Sequence, residues 1–513
     1  MAALAIRAPL RPHRLYNEDS VTLARAVDHY DPRHLFPQPP GYPLFILQSK
    51  ILRAFTGDVE RAFFAGVVLA TAAALLALIA LSRAMFESWI YAAFLLAINP
   101  IFLFTGMTSP IRICLAAVST IVALSCWRAW QGDSRSAWIA AAALGIGSGY
   151  RPELIVLLFP LWAISVWRAA RSWKRFLGPA ALLAVITAIW LGFLFARFPD
   201  LHAFRETFAR YAADQTRDTS LIFGTSDTGP IRTLFRVAMW NGTAIFGWIA
   251  LLPLCSAASR GGQPVSRPAW VFWGQATDSR LAAMTRGPTL FIALWILPSI
   301  AFHALVHVED PDQTLSTIPA FCILGGAVLA RFHENNRDIA MLGLASAAAV
   351  NLALFFAPFP LSPEESVYKP AVDALWQFSY TQTNNVRVRT DAVLVSLQPF
   401  AHDDRTLILW NRSQVTWRAL SYYYPNLTFC LLMDDRHAGT RPHAAFWRDL
   451  ALRERYFGDR ALVPLGDADQ LVWVLGAVSP IRPAVAGRLR PIADGVWQSQ
   501  AAPMNIPGYR LVW

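Results

Sequence analysis

Ten apolar runs, separated by short polar segments, limit the folds open to this chain more than any other feature. They lie at about 61–82, 89–106, 111–128, 136–149, 153–167, 177–196, 237–256, 288–306, 315–331 and 339–357. A helix needs about 20 mostly apolar residues to cross the hydrocarbon core of a bilayer. Most of the runs meet that length; those at 136–149 and 153–167 read as half-spans meeting at Gly149-Tyr150-Arg151-Pro152. Hydrophobic residues make up 55% of the 513, against roughly 45–50% in soluble domains. The chain reads as a polytopic α-helical membrane protein of about ten spans.

The formal net charge is +11, and the placement of that charge argues against nucleic acid as a partner. Arg83, Arg128 with Arg135, Arg168 through Arg175, Arg260 through Arg286, and Arg331 with Arg337 fall in alternate loops. Basic loops stay in the cytoplasm, which puts 16–40, 105–110, 148–153, 197–236, 307–314 and the tail after 362 on the other face. Anionic lipid head groups are the natural partners of such a chain. Cys114, Cys126, Cys255 and Cys322 lie in or beside apolar runs, and only Cys430 is in the tail, so no disulfide framework is evident. No metal-ligand spacing occurs, and no metal or cofactor is expected.

Residues 16–45, YNEDSVTLARAVDHYDPRHLFPQPPGYPLF, open the chain with an acidic pair, Glu18-Asp19. Val21, Ala24, Val27 and Tyr30 are spaced for one helical face. Pro39, Pro40 and Pro43 remove backbone donors and fix φ, so no helix continues through them. A carboxylate beside a stiff loop at the edge of an apolar region suits catalysis at a membrane surface; an N-cap at Asp19, with Glu18 solvated, is the plainer alternative. Residues 41–55 are too short to span and read as a juxtamembrane helix lying in the interface.

Two arginines stand at span edges on the face assigned to the acidic pair. Arg112 follows Ser109-Pro110, and Arg151 sits in Gly-Tyr-Arg-Pro-Glu. A charge at a span edge is costly unless paired or useful, and the guanidinium fork matches phosphate oxygens. Snorkelling to water or ordinary phospholipid is the competing account. His303 and His307 share a face if their helix continues, and Asp310, Asp312 and Gln313 follow. A polar rim able to meet sugar hydroxyls fits this group better than a metal site. The segment 197–236, with Phe204, Phe208 and Tyr211, reads as a long external loop, either covering a site or plain surface.

The tail reads as a small α/β domain. Strands are expected at 391–397, 406–410, 428–433 and 471–476, and helices at 413–423 and 445–457. No nucleotide-binding glycine motif is present.

Residues 15–360 resemble the polyprenyl-phosphate-sugar-dependent glycosyltransferases of the type C fold. Within these, the likeness is to bacterial members related to the protein O-mannosyltransferase and aminoarabinose-transferase group. The acidic loop with its turn QPPGYPLF is similar to the family's first external loop and its HPPGYPLY-like turn. TSPIR, GYRPE and TLSTIP resemble three further family segments. The resemblance implies a transmembrane transferase domain over 1–360, with an extracytoplasmic α/β domain over 361–513. It implies Asp19 as the catalytic base with Glu18 as neighbour or substitute, and Arg112 and Arg151 as donor-phosphate contacts. Tyr42, His307 and Gln313 are the further substrate contacts expected. The donor would be a polyprenyl-phosphate-linked sugar, the acceptor hydroxyl one that the sequence does not identify, and the site the outer face of a bacterial inner membrane. The family has a spanning helix ahead of the acidic loop, and the residues before Tyr16 are too few and too basic for one. Either that helix lies upstream of Met1 or the chain is a partial member. Gln38 stands where the family has His. A transporter or flippase, and an inactive scaffold, are the alternatives from other classes.

Overall fold

The computed structural model describes residues 7–15, 17–217, 219–224, 229–249, 287–356, 374, 377–433, 442–448, 451–455 and 461–513. The chain divides into two compact units. One comprises Met1–Arg11 and Leu23–Gln382; the other comprises Pro12–Thr22 and Thr383–Trp513.

The first unit is helical. Among the described residues, six helices are long and apolar enough to cross a membrane: Val59–Phe86, Ile113–Trp130, Glu153–Ala170, Trp173–Phe195, Pro288–Leu305 and Arg337–Phe356. These make the protein an integral membrane protein. Ile113–Trp130 is 78% buried and Trp173–Phe195 only 22%, so the former is the central helix and the latter a lipid-facing one. Val59–Phe86 packs along Ile113–Trp130, burying Ala74, Leu78 and Leu81. Ile318–Asn335 lies against Trp89–Ala97. At Gly326 a Cβ would stand 2.8 Å from the backbone nitrogen of Ala92, so only glycine permits that approach.

Several expected spans are realised differently. The run at 89–106 is two helices, Trp89–Ala97 and Pro100–Thr108, bent by 53°. Pro100 cannot donate into the first helix, and the Asn99 side chain instead caps the second through Phe102 N at 3.1 Å. The run at 237–256 begins in the helices Gly229–Gly242 and Phe246–Ile249; its remainder, with Cys255 and the basic residues Arg260 to Arg286, lies outside the described residues. Residues 197–236 are not an open loop: Leu201–Arg217 and the start of Gly229–Gly242 are helical. Phe204 and Phe208 stack at 4.4 Å and pack on Phe198, Leu194 and Trp190.

The juxtamembrane segment forms the helix Pro43–Thr56, begun by Pro43 and stopped at Gly57. Tyr42 ahead of it has φ 45°, and Gly41 has φ 87°. That backbone conformation favours glycine at position 41, where a Cβ would also push Leu194 Cδ1, 2.7 Å away, aside.

The second unit is α/β. Its described residues form ten strands in order: β1 Thr406–Asn411, β2 Thr428–Met433, β3 His443–Arg448, β4 Ala451–Arg455, β5 Ala461–Pro464, β6 Gln470–Leu475, β7 Arg490–Ala493, β8 Val496–Gln500, β9 Met504–Ile506 and β10 Tyr509–Val512. Seven of them make a sheet in the order β4-β3-β2-β1-β6-β8-β7, and three make β5-β10-β9. β1 runs parallel to both β2 and β6 and is buried along nearly its whole length, as the centre of a covered sheet must be. Leu407, Leu409, Cys430, Leu432, Trp473 and Leu511 share the core.

Two expectations for the tail are corrected. Residues 391–397 belong to the helix Tyr380–Leu397, not a strand. Thr383, Thr390, Val393, Leu394 and Leu397 are its buried positions, a helical spacing that outweighs the β propensity of Val and Leu in a row. Where a helix is expected over 445–457, the described residues 445–448 and 451–455 are strand: β3 pairs antiparallel to β2 and to β4, and that pairing decides the outcome over local propensity.

Candidate active site

The expected site residues fall into two groups, one in each unit. In the second unit, Glu18 and Asp19 open the helix Glu18–Asp28, whose first residues, to Thr22, belong to that unit. Asn17 caps the helix: its Oδ1 accepts from Ser20 N at 2.9 Å and from Ser20 Oγ at 2.7 Å. The plainer sequence account, Asp19 as cap, is thus replaced. The Asp19 carbonyl accepts from Thr22 Oγ1 at 3.0 Å. The Glu18 carboxylate ion-pairs with Arg418 Nη1. Arg418 stacks on Trp417, 5.0 Å from the ring centre, and burial holds its guanidinium below its ordinary value. The pair joins residues four hundred positions apart, and no sequence pattern announces it.

In the first unit, Arg112 ends the turn before Ile113–Trp130 and is buried. Its Nη1 donates to Asp312 Oδ1 at 2.8 Å, and its Nη2 lies 2.9 Å from Asp310 Oδ2. Both aspartates come from the 3₁₀ turn Pro311–Ser316 and its cap. Pro311 starts that turn, Thr314 Oγ1 donates back to Pro311 O at 2.7 Å, and Trp295 Nε1 donates to Ser316 O at 2.9 Å. Arg112 does not snorkel; it is held at fixed geometry by two carboxylates.

Arg151 is placed by the break between Ser134–Tyr150 and Glu153–Ala170. Its Nε donates to Glu153 Oε1 at 2.6 Å, and its guanidinium carbon lies 5.2 Å from the centre of the Tyr42 ring. Burial opposes its charge, but Glu153 and the Tyr42 oxygen overcome that and hold Arg151 above the usual arginine range. The fields of Arg112 and Arg151 both reach Asp312, where burial dominates and pushes the carboxyl up to about 6.

His303 and His307 are not stacked on one helical face, because the helix Pro288–Leu305 ends between them. His303 is buried, and its Nδ1 has no hydrogen-bond partner among the described residues. His307 Nδ1 lies 2.7 Å from Thr219 Oγ1, and burial followed by the charge of Arg112 brings the ring down to about 4. Gln313 is turned inward: its Oε1 accepts from Glu309 N at 2.9 Å. Among the described residues, no group of three His, Cys, Asp or Glu side chains is arranged to hold a metal ion.

The structure thus gathers Arg112, Arg151, Tyr42, His307 and Gln313 in one unit, and Glu18 and Asp19 in the other. Sequence reasoning read Asp310 and Asp312 as rim residues, and the partners of Arg112 were missed. Glu153, two residues from Arg151, was the visible signal for the other ion pair.

A scan against protein-family models finds no match, and neither does a search of curated proteins. Solved structures do match. ArnT from Cupriavidus metallidurans bound to undecaprenyl phosphate aligns over 98% of both chains, with a TM-score of 0.57 and 13% identity. The same protein in its apo state gives the same figures. The helical array, the broken helices and the small C-terminal sheet unit are together the type C glycosyltransferase fold.

Proposed function

We propose that the protein moves a sugar from a polyprenyl phosphate donor to an acceptor hydroxyl, with inversion at the anomeric carbon. The observation that carries the reading is the pair of buried arginines, Arg112 and Arg151, each fixed by carboxylates in a fold shared with a protein solved with undecaprenyl phosphate. Two oriented forks suit a phosphate.

Asp19 takes the proton of the acceptor hydroxyl as that oxygen attacks the anomeric carbon. The bond from that carbon to the phosphate oxygen breaks, and its electron pair leaves with the phosphate. Arg112 and Arg151 stabilise the charge that develops there. Asp310, Asp312 and Glu153 occupy the forks in the resting state, so the phosphate competes with carboxylates for the same nitrogens. Tyr42 holds the plane of Arg151, and His307, neutral at physiological pH, and Gln313 meet sugar hydroxyls. Residues 1–360 form the transferase domain, and residues 361–513 an extracytoplasmic domain that contributes to acceptor binding. The membrane is the bacterial inner membrane.

The test uses the full chain in lipid nanodiscs with undecaprenyl-phosphate-linked sugars and candidate acceptors. Release of undecaprenyl phosphate, coupled one to one to a glycosylated acceptor, is expected. Movement of the intact donor across a proteoliposome membrane with no transfer would overturn the reading in favour of a flippase.

A further inference from the structure

The second unit contains a half-open cavity of about 380 Å³, lined by Arg14, Gln398, His402, Tyr423, Tyr424 and Asn426 among others. That volume is at the lower end of the ~300–1,000 Å³ usual for small-molecule sites, and it accommodates a sugar ring. The acceptor and donor chemistry above does not use it.

Arg14 is built rather than free. Its Nε donates to Asp391 Oδ1 at 3.0 Å, and its guanidinium carbon lies 4.9 Å from the centre of the Tyr423 ring. One edge of the fork and one face are thereby fixed, while the terminal nitrogens keep their donors for another acceptor. The two tyrosines are locked in turn. Tyr423 Oη accepts from Leu15 N at 2.9 Å, and Tyr424 Oη donates to Leu394 O at 2.6 Å. Their rings are therefore rigid walls.

Among the described residues, Gln398, His402 and Asn426 make no side-chain hydrogen bond, and all three are exposed, at the rim. Arg14 and His402 are basic, and no carboxylate lines the cavity. A fork with unused donors, rigid aromatic walls and free amides match a ring that carries hydroxyls and one anionic group.

We infer that this cavity binds an anionic sugar, a hexuronate or a sugar phosphate, with its carboxylate or phosphate on the terminal nitrogens of Arg14 and its hydroxyls on Gln398 and Asn426. The inference concerns the second unit alone and stands whether or not the transfer reaction above is correct.

The test is saturation-transfer NMR on the full chain in nanodiscs. The probes are methyl glucuronide, glucose 1-phosphate, neutral methyl glucoside and inorganic phosphate. At least one of the two anionic sugars should bind, and the neutral glucoside should be weaker by about tenfold or more, the usual worth of a hydrogen bond to a charged group. Which of the two binds tighter identifies the anionic group. Arg14→Lys keeps the charge and loses the fork, and should weaken that sugar by about tenfold. Asn426 is exposed, so Asn426→Ala should leave the melting temperature unchanged and weaken the same sugar several-fold. Equal binding of the neutral glucoside, inorganic phosphate as tight as either sugar, binding of none of the probes, or insensitivity to Asn426→Ala and Arg14→Lys would each overturn the assignment.

Discussion

Arg112 Nη1 donates to Asp312 Oδ1 at 2.8 Å, and both side chains are buried. The pair ties the start of a central helix to a 3₁₀ turn 200 positions later. Its consequence for binding follows from protonation. Asp312 takes up a proton near pH 6, well above the ordinary carboxylate range. Its hold on Arg112 weakens as it does so, and the fork becomes available to a phosphate. Undecaprenyl phosphate should therefore bind the wild type more tightly at pH 5.5 than its own titration allows. The phosphomonoester itself loses a proton near pH ~6, which acts in the opposite sense. Asp312→Asn, with the same lipid, removes the protein's share. It should bind more tightly than wild type at pH 8, by about tenfold, and converge with it at pH 5.5. Parallel binding curves for the two proteins would rule the competition out.

The same titration appears in stability. A folded-state value raised to about 6 means that the folded chain holds a proton the unfolded chain has lost, so Asp312 costs stability as pH rises from about 4 to 6. His307 acts the other way. Its folded-state value is lowered to about 4, so it adds stability as pH rises from there to about 6.5. The two opposing slopes overlap. The melting temperature of the wild type should therefore climb with pH less steeply than that of Asp312→Asn, which lacks the opposing slope. Differential scanning fluorimetry in detergent from pH 4.5 to 7 measures both.

Arg151 tests the donor contact. Arg151→Ala leaves the half-buried Glu153 without its partner, which carries a cost by itself. Arg151→Lys keeps the charge and loses the fork. If the fork meets phosphate, undecaprenyl phosphate should bind Arg151→Lys about tenfold more weakly than wild type, and Arg151→Ala more weakly still. The double variant Arg151→Ala, Glu153→Gln restores folding without restoring binding. Equal affinities across the set would confine Arg151 to a structural role.

The segment Pro12–Thr22 belongs with the C-terminal sheet unit. It is attached by the Arg14–Asp391 ion pair, by Leu15 N on Tyr423 Oη, and by the Glu18–Arg418 ion pair. A fragment of residues 383–513 should accordingly melt at a higher temperature when a synthetic peptide of residues 12–22 is added. Arg418→Ala in the fragment should remove most of that gain. A melting temperature indifferent to the peptide would show that the contacts contribute nothing measurable.

The legible parts of this protein are those carried by local pattern. The apolar runs gave the helices because bilayer thickness fixes their length. Gln38 to Pro43 gave the turn because proline and glycine act on their own backbone. The central strands β1, β2 and β6 were readable as short buried apolar runs. What was not legible depended on distant partners. Residues 443–448 and 451–455 became strands through pairing, β3 to β2 and β4 to β3. The 89–106 run broke because Asn99 found Phe102 N and Pro100 could not donate. At the candidate site, the arginines were visible as charges out of place, but the carboxylates that hold Arg112 and the arginine that holds Glu18 come from elsewhere in the chain. Tertiary ion pairs leave no periodic trace.

The acidic pair carries the chemistry proposed, and its geometry now separates the two acids. Glu18 is committed to Arg418, and Asn17 has the capping role, so Asp19 is not needed to start the helix. Asp19→Asn keeps the size of the side chain and removes the base. Turnover should fall by roughly 10²–10⁴-fold, the usual range for a positioned base, while affinity for undecaprenyl phosphate stays within about twofold, as the arginines hold the phosphate. Glu18→Gln weakens an ion pair and leaves Asp19 intact, so it should lose less turnover. If the two acids act as a unit, the double variant should be little worse than the worse single one. Asn17→Ala is the control for the helix start. It should cost about 1 kcal/mol of stability, as loss of a cap does, and leave turnover nearly unchanged. Single-turnover transfer assays with the sugar-loaded lipid, alongside thermal melts, separate these effects. Full transfer activity in the Asp19→Asn, Glu18→Gln double variant would remove this helix start from the mechanism.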